Sequence, residues 1–277
     1  MSAINCINTR DAAHIVTDAC WYDTEGVVLK IGPKQFSLPH LPAVIATRGS
    51  GYAPPIFGHE FGTRFATFDE LVEGVEEATV DVHNAYLGMF EECGNPDVEI
   101  IIAGYSASRG SCAAYMIKTA ELDDATRREA DRLNIVVPEA FQLLALPGVT
   151  MGPQIEAEAL REAGLHFDLT RDDCAALHAK AITLLELQRE ICVSYAEGMP
   201  MIHGVGGFAQ IGTVTKEGVQ QSILHRWPDK LGVEIEPEEI DWAARRGTAQ
   251  VDAMAGMSKM QREMFQRRQK KLQRRAA

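Results

Sequence analysis

The sequence predicts a layered α+β fold, and three observations carry that prediction. Short runs rich in strand formers, bounded by turn residues, fill the first fifty positions. Two long segments of helical apolar spacing follow them. The succession then repeats, strands before helices, and the last clear elements are strands again. This order is not the strict alternation of βαβ units; sheets packed face to face, with helix pairs outside, cover all of these apolar faces.

The elements follow in order. SAINCIN alternates, TRDA supplies a turn, and AHIVTDAC is a strand-forming run. EGVVLKIG and KQFSL are further short strands, and PAVIATRGSG ends in a glycine turn. Helical spacing begins at residue 53 and covers 53–65 and 68–92, with Leu71, Val75, Ala78, Val82, Ala85 and Met89 as one stripe. Thr67 or Asp69 is the expected N-cap, and Gly94-Asn95-Pro96 is a stop. VEIIIAGYS and CAAYMIKT flank the polar turn SASRGS and read as a hairpin. The run 135–146 is expected as a strand, 154–163 and 171–195 as helices, and 208–215 with 220–227 as a closing strand pair. Beyond Asp229 the chain turns polar, and a helix is expected there. The expected organisation is therefore a domain over 1–228 and a polar helical extension over 229–277.

Composition excludes several function classes. No apolar run reaches about 18 residues, so no membrane span is expected. No basic segment leads into an apolar one at the N-terminus, so no secretory signal is expected. The six cysteines are scattered without a C-x-x-C pair, which fits reduced thiols in a cytoplasmic protein. His59-Glu60 lacks the second histidine of H-E-x-x-H, and no phosphate-binding G-x-x-x-x-G-K-[ST] occurs. No metal or cofactor is expected. The formal charge of −12 hides an asymmetry, since eight basic residues between Lys259 and Arg275 face the single acid Glu263. An acidic body disfavours nucleic-acid binding. In the basic tail Met254, Met257, Met260 and Met264 recur at helical spacing. That tail is either a solvated amphipathic helix or one that docks on a neighbouring subunit or protein partner.

The chemistry concentrates at the front. Serine is small enough for the aminopeptidase that removes initiator methionine, and removal of Met1 would leave Ser2 with hydroxyl and α-amine on one residue. An α-amine titrates at about 7.7–8.0, so near neutral pH it can take the hydroxyl proton. Nucleophile and base then come from one residue. Asp18 lies sixteen residues after Ser2, and Lys34 sixteen after Asp18.

An N-terminal nucleophile, an Asp ending the second strand and a Lys opening a later one, at this spacing, resemble the proteasome β-subunit family and the bacterial HslV-like peptidases. AHIVTDA resembles that family's aspartate strand, GPKQFSL its lysine strand, and VIATRGSG its strand with a glycine turn. The hairpin VEIIIAGYS…AAYMIKT and the stretch GVGGFAQIGTVTKEGV also have counterparts there. The resemblance covers about 2–227 and implies the four-layer αββα fold of N-terminal-nucleophile (Ntn) hydrolases. It further implies that Ser2 attacks an amide carbonyl, that Lys34 and Asp18 activate it, and that the Gly49 N–H faces the oxyanion. A homo-oligomer and a peptide or amide substrate are implied as well. Four features depart from the pattern: Ser2 stands where threonine is usual, Gly49 is shifted one position by an apparent insertion, Val205 stands where a serine is expected, and the IHGVGG stretch has no aspartate at the expected place. Thr150, in GVTMG, is the counterpart of a supporting hydroxyl. The alternative reading is a catalytically inactive subunit of the same fold that acts through its tail.

Overall fold

Two antiparallel five-stranded sheets organise the computed structural model, which describes residues 2–94, 96–132, 135–194 and 200–245. Strands β1 (Ile4–Asn8), β2 (Ala12–Thr17), β3 (Cys20–Tyr22), β4 (Val28–Ile31), β5 (Gln35–Leu38) and β6 (Ala43–Arg48) come first. Helices α1 (Ala53–Arg64) and α2 (Phe68–Glu92) follow, then the hairpin β7 (Glu99–Ser106) and β8 (Ser111–Lys118). Next are α3 (Asp124–Arg132), the short strands β9 (Leu144–Ala145) and β10 (Val149–Thr150), and helices α4 (Ala157–Glu162) and α5 (Cys174–Arg189). The chain closes with β11 (Cys192–Val193), β12 (Ile202–His203), β13 (Phe208–Thr215) and β14 (Gly218–Arg226). One sheet runs β10-β1-β2-β13-β14 and the other β5-β6-β7-β8-β9; β3 with β4 and β11 with β12 form two ribbons.

Side chains alternate across a strand, so each sheet has two faces to cover. Ile4, Cys6, Ala13 and Ile15 of the first sheet pack with Val44, Ala46, Ile101 and Ala103 of the second. The other face of the second sheet, with Ile45, Ile100 and Ile102, packs on Phe57 and Phe61 of α1 and Leu71 and Val75 of α2. The other face of the first, with Ile7, Val16 and Ile211, packs on Leu177, Ala181 and Leu185 of α5. Each fully buried side chain of this size contributes roughly 1.5–3 kcal/mol. The start of α2 lies close on β7 because Gly104 has no side chain: a Cβ there would come within 2.2 Å of the Phe68 ring.

Thr67 is the cap of α2, accepting from the Glu70 N–H at 3.1 Å. The buried stripe of α2 keeps Leu71, Val75, Ala78 and Val82 but continues to Phe90, while Ala85 and Met89 are exposed. At 3.6 residues per turn the buried line advances by four from Val82, not by three. The expected strand over 135–146 reduces to β9. Pro138 interrupts the run, Phe141 takes a left-handed φ of 60°, and Val136 is exposed. The expected helix over 171–195 starts only at Cys174, where the Asp173 side chain accepts from the Ala176 N–H at 2.8 Å, and it ends at Arg189.

The described residues fall into two compact units, 2–155 with 167–237, and 156–166 with 238–245. The first unit thus runs past the expected boundary at 228. Residues 232–234 are not helical: Gly232 N–H donates to the Val28 carbonyl, Val28 N–H to that of Val233, and Glu234 bridges to Val27. Ile235 is buried against Cys20 and Val28. In the second unit α4 is accompanied by a helical turn over 242–245, where the Arg245 guanidinium lies 5.5 Å from the Trp242 ring centroid. The expected methionine-lined basic tail falls outside the described residues. Among the described residues, no helix is long and apolar enough to cross a membrane.

Candidate active site around Ser2

The β1–β2 hairpin brings Ser2 and Asp18 side by side. Its register pairs Ile4 with Thr17, so the residues just outside the hairpin's open end face each other. Thr9 closes the turn by donating from Oγ1 to the Ala12 carbonyl at 2.7 Å and accepting from the Ala12 N–H at 3.0 Å. Asp18 is fully buried. Its Oδ1 accepts from Ala3 N–H at 2.9 Å, and its Oδ2 from Cys20 N–H at 3.1 Å and Gly206 N–H at 3.2 Å. Three backbone donors therefore fix the carboxylate before any cation is counted.

Lys34 enters from the second sheet, one residue before β5. Its Nζ donates to Asp18 Oδ1 at 2.8 Å, to Asp18 Oδ2 at 2.9 Å and to Ser2 Oγ at 2.8 Å. Burial pushes the Lys34 ammonium below its ordinary range, and the adjoining Asp18 carboxylate opposes that shift. The Trp21 ring flanks the cation, with its centroid 5.4 Å from Lys34 Nζ. A cation bridging a fixed carboxylate and a hydroxyl stabilises negative charge that develops on the hydroxyl oxygen.

Arg48 holds the other side of Ser2. Its Nε donates to the Ser2 carbonyl at 2.8 Å, while Nη1 donates to Glu99, its register partner on β7, also at 2.8 Å. Gly49 follows with φ of +102°, and a Cβ there would sit 2.0 Å from the Asp97 carbonyl oxygen. That position admits only glycine. A cavity of about 260 Å³ opens against Arg48 and Gly49, lined also by Asp97, Glu99, Lys118 and Glu121. Thr150 is not brought to this group. It pairs with Cys6, four residues along β1 from Ser2, which is about 13 Å of extended chain.

A second tier reaches the group from α5. Arg189 Nη1 donates to the Val205 carbonyl at 2.8 Å, and Gly207 N–H donates to Asp229 Oδ2 at 2.7 Å. These contacts bracket Gly206, whose N–H meets Asp18. The Val205 side chain is buried among Leu177, Ala181 and Leu185. Asn5 and Gln188 exchange two amide hydrogen bonds at 2.8 Å, and Gly152 N–H donates to Asn5 Oδ1. Arg48, Trp21, Arg189 and Asp229 were not singled out by the sequence pattern. Arg48 lies inside the TRGSG turn and Asp229 ends HRWPD, so position beside a strand end was the available signal. Nothing in the sequence of α5 separates Arg189 from a solvated arginine.

No protein-family model matches this chain, and no curated protein matches it either. The functional reading therefore rests on the geometry just described.

Proposed function

We propose that this chain is an N-terminal serine hydrolase of amide or peptide bonds, built on the four-layer αββα arrangement of the proteasome-like Ntn hydrolases. The observation that carries the reading is the Lys34 ammonium held 2.8 Å from Ser2 Oγ and within 2.9 Å of both Asp18 oxygens. Two sheets meeting through one apolar cluster, with α1 and α2 outside one and α5 outside the other, support the fold.

In this reading Met1 is removed and the free α-amine of Ser2 takes the hydroxyl proton. Lys34 stabilises the oxygen as it attacks the carbonyl carbon. The Gly49 N–H faces the oxyanion, a contribution of about 3 kcal/mol for a well-placed donor. The amine then protonates the leaving nitrogen, and water cleaves the ester with the amine as base. The cavity beside Gly49 receives a side chain of the substrate. Subunits assemble as a homo-oligomer in the cytoplasm, and the basic tail contacts a neighbouring subunit or a protein partner.

A second reading, an inactive subunit of the same fold, is favoured by Val205, whose buried apolar side chain supplies no hydroxyl beside Asp18. Two measurements separate the readings. Intact mass of the purified protein reports whether Met1 is gone, and a β-lactone probe reports an acylated N-terminal hydroxyl. The hydrolase reading expects loss of Met1 and labelling that Ser2→Ala abolishes. Retained Met1, or equal labelling of both proteins, overturns it.

A further inference from the structure

A Cys–His pair that makes no hydrogen bond to Ser2, Asp18 or Lys34 among the described residues lies on the β11–β12 ribbon, whose register sets Cys192 opposite His203. Cys192 Sγ is 3.3 Å from His203 Nε2 and 3.6 Å from Nδ1. Nδ1 also lies 2.9 Å from the Arg189 carbonyl oxygen. A carbonyl only accepts, so Nδ1 is the donor to it, and in the neutral imidazole Nε2 is then the accepting nitrogen. The Cys192 sulfur lies nearly equidistant from the two ring nitrogens and slightly nearer Nε2, so a thiol proton turned towards Nε2 finds that nitrogen as its acceptor. A nucleophile, a base within reach of it, and a third group orienting that base make up the arrangement of an activated nucleophile. Cys192 is exposed, so a dissolved reagent reaches its sulfur.

The other cysteines supply a comparison within the same molecule. Cys174 Sγ lies 3.3 Å from His178 Nε2, but among the described residues no carbonyl orients that ring. Cys93 is exposed and, among the described residues, has no imidazole against it. Cys6, Cys20 and Cys112 are buried, and burial pushes their thiols up to about 12, 12 and 11 respectively.

We propose that Cys192, with His203 as its base, is a thiol-modification site that exchanges with low-molecular-weight disulfides. The thiol passes its proton to His203 Nε2, and the sulfur attacks one sulfur of the disulfide. A new S–S bond forms to Cys192 while the original one breaks. The departing half leaves as a thiolate and takes the proton from the imidazolium. The Cys192 sulfur is oxidised and the departing sulfur reduced, so no further oxidant enters. The step does not involve Ser2 and stands independently of the hydrolase reading.

The experiment treats the full-length protein with glutathione disulfide and follows each cysteine by peptide mass spectrometry. Cys192 is expected to be modified about tenfold or more faster than Cys93, the modest end of a general-base contribution. His203→Gln is expected to bring Cys192 down to the rate of Cys93, and Ser2→Ala to leave it unchanged. Equal rates at Cys192 and Cys93 in the unaltered protein overturn the proposal without any variant. An unchanged Cys192 rate in folded His203→Gln overturns it as well.

Discussion

Arg189 and Asp229, 40 positions apart, form a two-pronged ion pair with both contacts at 2.8 Å and only 5% of either side chain exposed. The Arg189 guanidinium also lies 4.9 Å from the Trp227 ring centroid. Through Val205 and Gly207 this pair sets where the Gly206 N–H points, and that N–H ends on Asp18. Removing one partner of a buried pair leaves the other charge uncompensated, so Asp229→Ala is expected to cost about 3–5 kcal/mol in urea unfolding. Under conditions where the variant is still folded, it is expected to slow labelling of Ser2. Unfolding within about 1 kcal/mol of the unaltered protein rules this role out.

Asp18 and Lys34 should not be equally costly to neutralise. Lys34→Met leaves the Asp18 carboxylate with its three backbone donors. Asp18→Asn keeps one amide oxygen for the buried ammonium but removes the negative charge that offsets its burial, and it turns an amide NH₂ towards the ammonium and a backbone N–H. Asp18→Asn is expected to cost about 3–5 kcal/mol and Lys34→Met roughly half of that. Chemical denaturation measures the order, and the reverse order contradicts it. Both variants are expected to lose Ser2 labelling.

Gly49→Ala combines a left-handed φ with a Cβ placed on the Asp97 carbonyl. The backbone change alone costs about 1–2 kcal/mol, and the collision adds to it. A drop of at least about 2 kcal/mol in unfolding free energy is expected. Alanine tolerated without a stability change would mean that the turn is not held as described.

His14 gives the first unit a pH dependence. Burial, with the His178 charge adding to it, pushes the imidazole down to about 4 from an ordinary value of 6.5. Between those values the unfolded chain binds more protons than the folded one, so stability rises with pH across that window. It is complete above about 6.5 and is lost as pH falls towards 4. His14→Gln keeps a polar group near Thr213 Oγ1, which lies 2.9 Å from His14 Nδ1. In urea unfolding between pH 7.5 and about 4.5, the unaltered protein is expected to lose about 2 kcal/mol more than the variant. Parallel curves for the two proteins contradict the assignment.

Legibility in the sequence followed the range of the interactions. The β1–β2 hairpin, the β7–β8 hairpin and the Thr67 cap depend on neighbours in the chain, and their residues announce them. The 16-residue steps from Ser2 to Asp18 to Lys34 were legible because strand ends place them. Residues 232–234 read as polar chain because what orders them is the edge of β4, some two hundred positions away. Arg189 was opaque for the same reason: its partner Asp229 meets it only through the tertiary fold. Thr150 shows the converse, since a hydroxyl in a glycine turn carries no information about the strand it will pair with.

The indole beside Lys34 gives the Ser2 site an optical voice. Trp21, Trp227 and Trp242 are the three tryptophans of the chain. Trp227 packs on Arg189, and Trp242 belongs to the other unit. With those two replaced by phenylalanine, the remaining fluorophore has two ammonium groups against it, Lys30 Nζ at 4.9 Å and Lys34 Nζ at 5.4 Å from its ring centroid, and Lys30→Gln leaves Lys34 as the one it reports. Changes at Ser2 then become readable in a cuvette, in real time, with no substrate in hand.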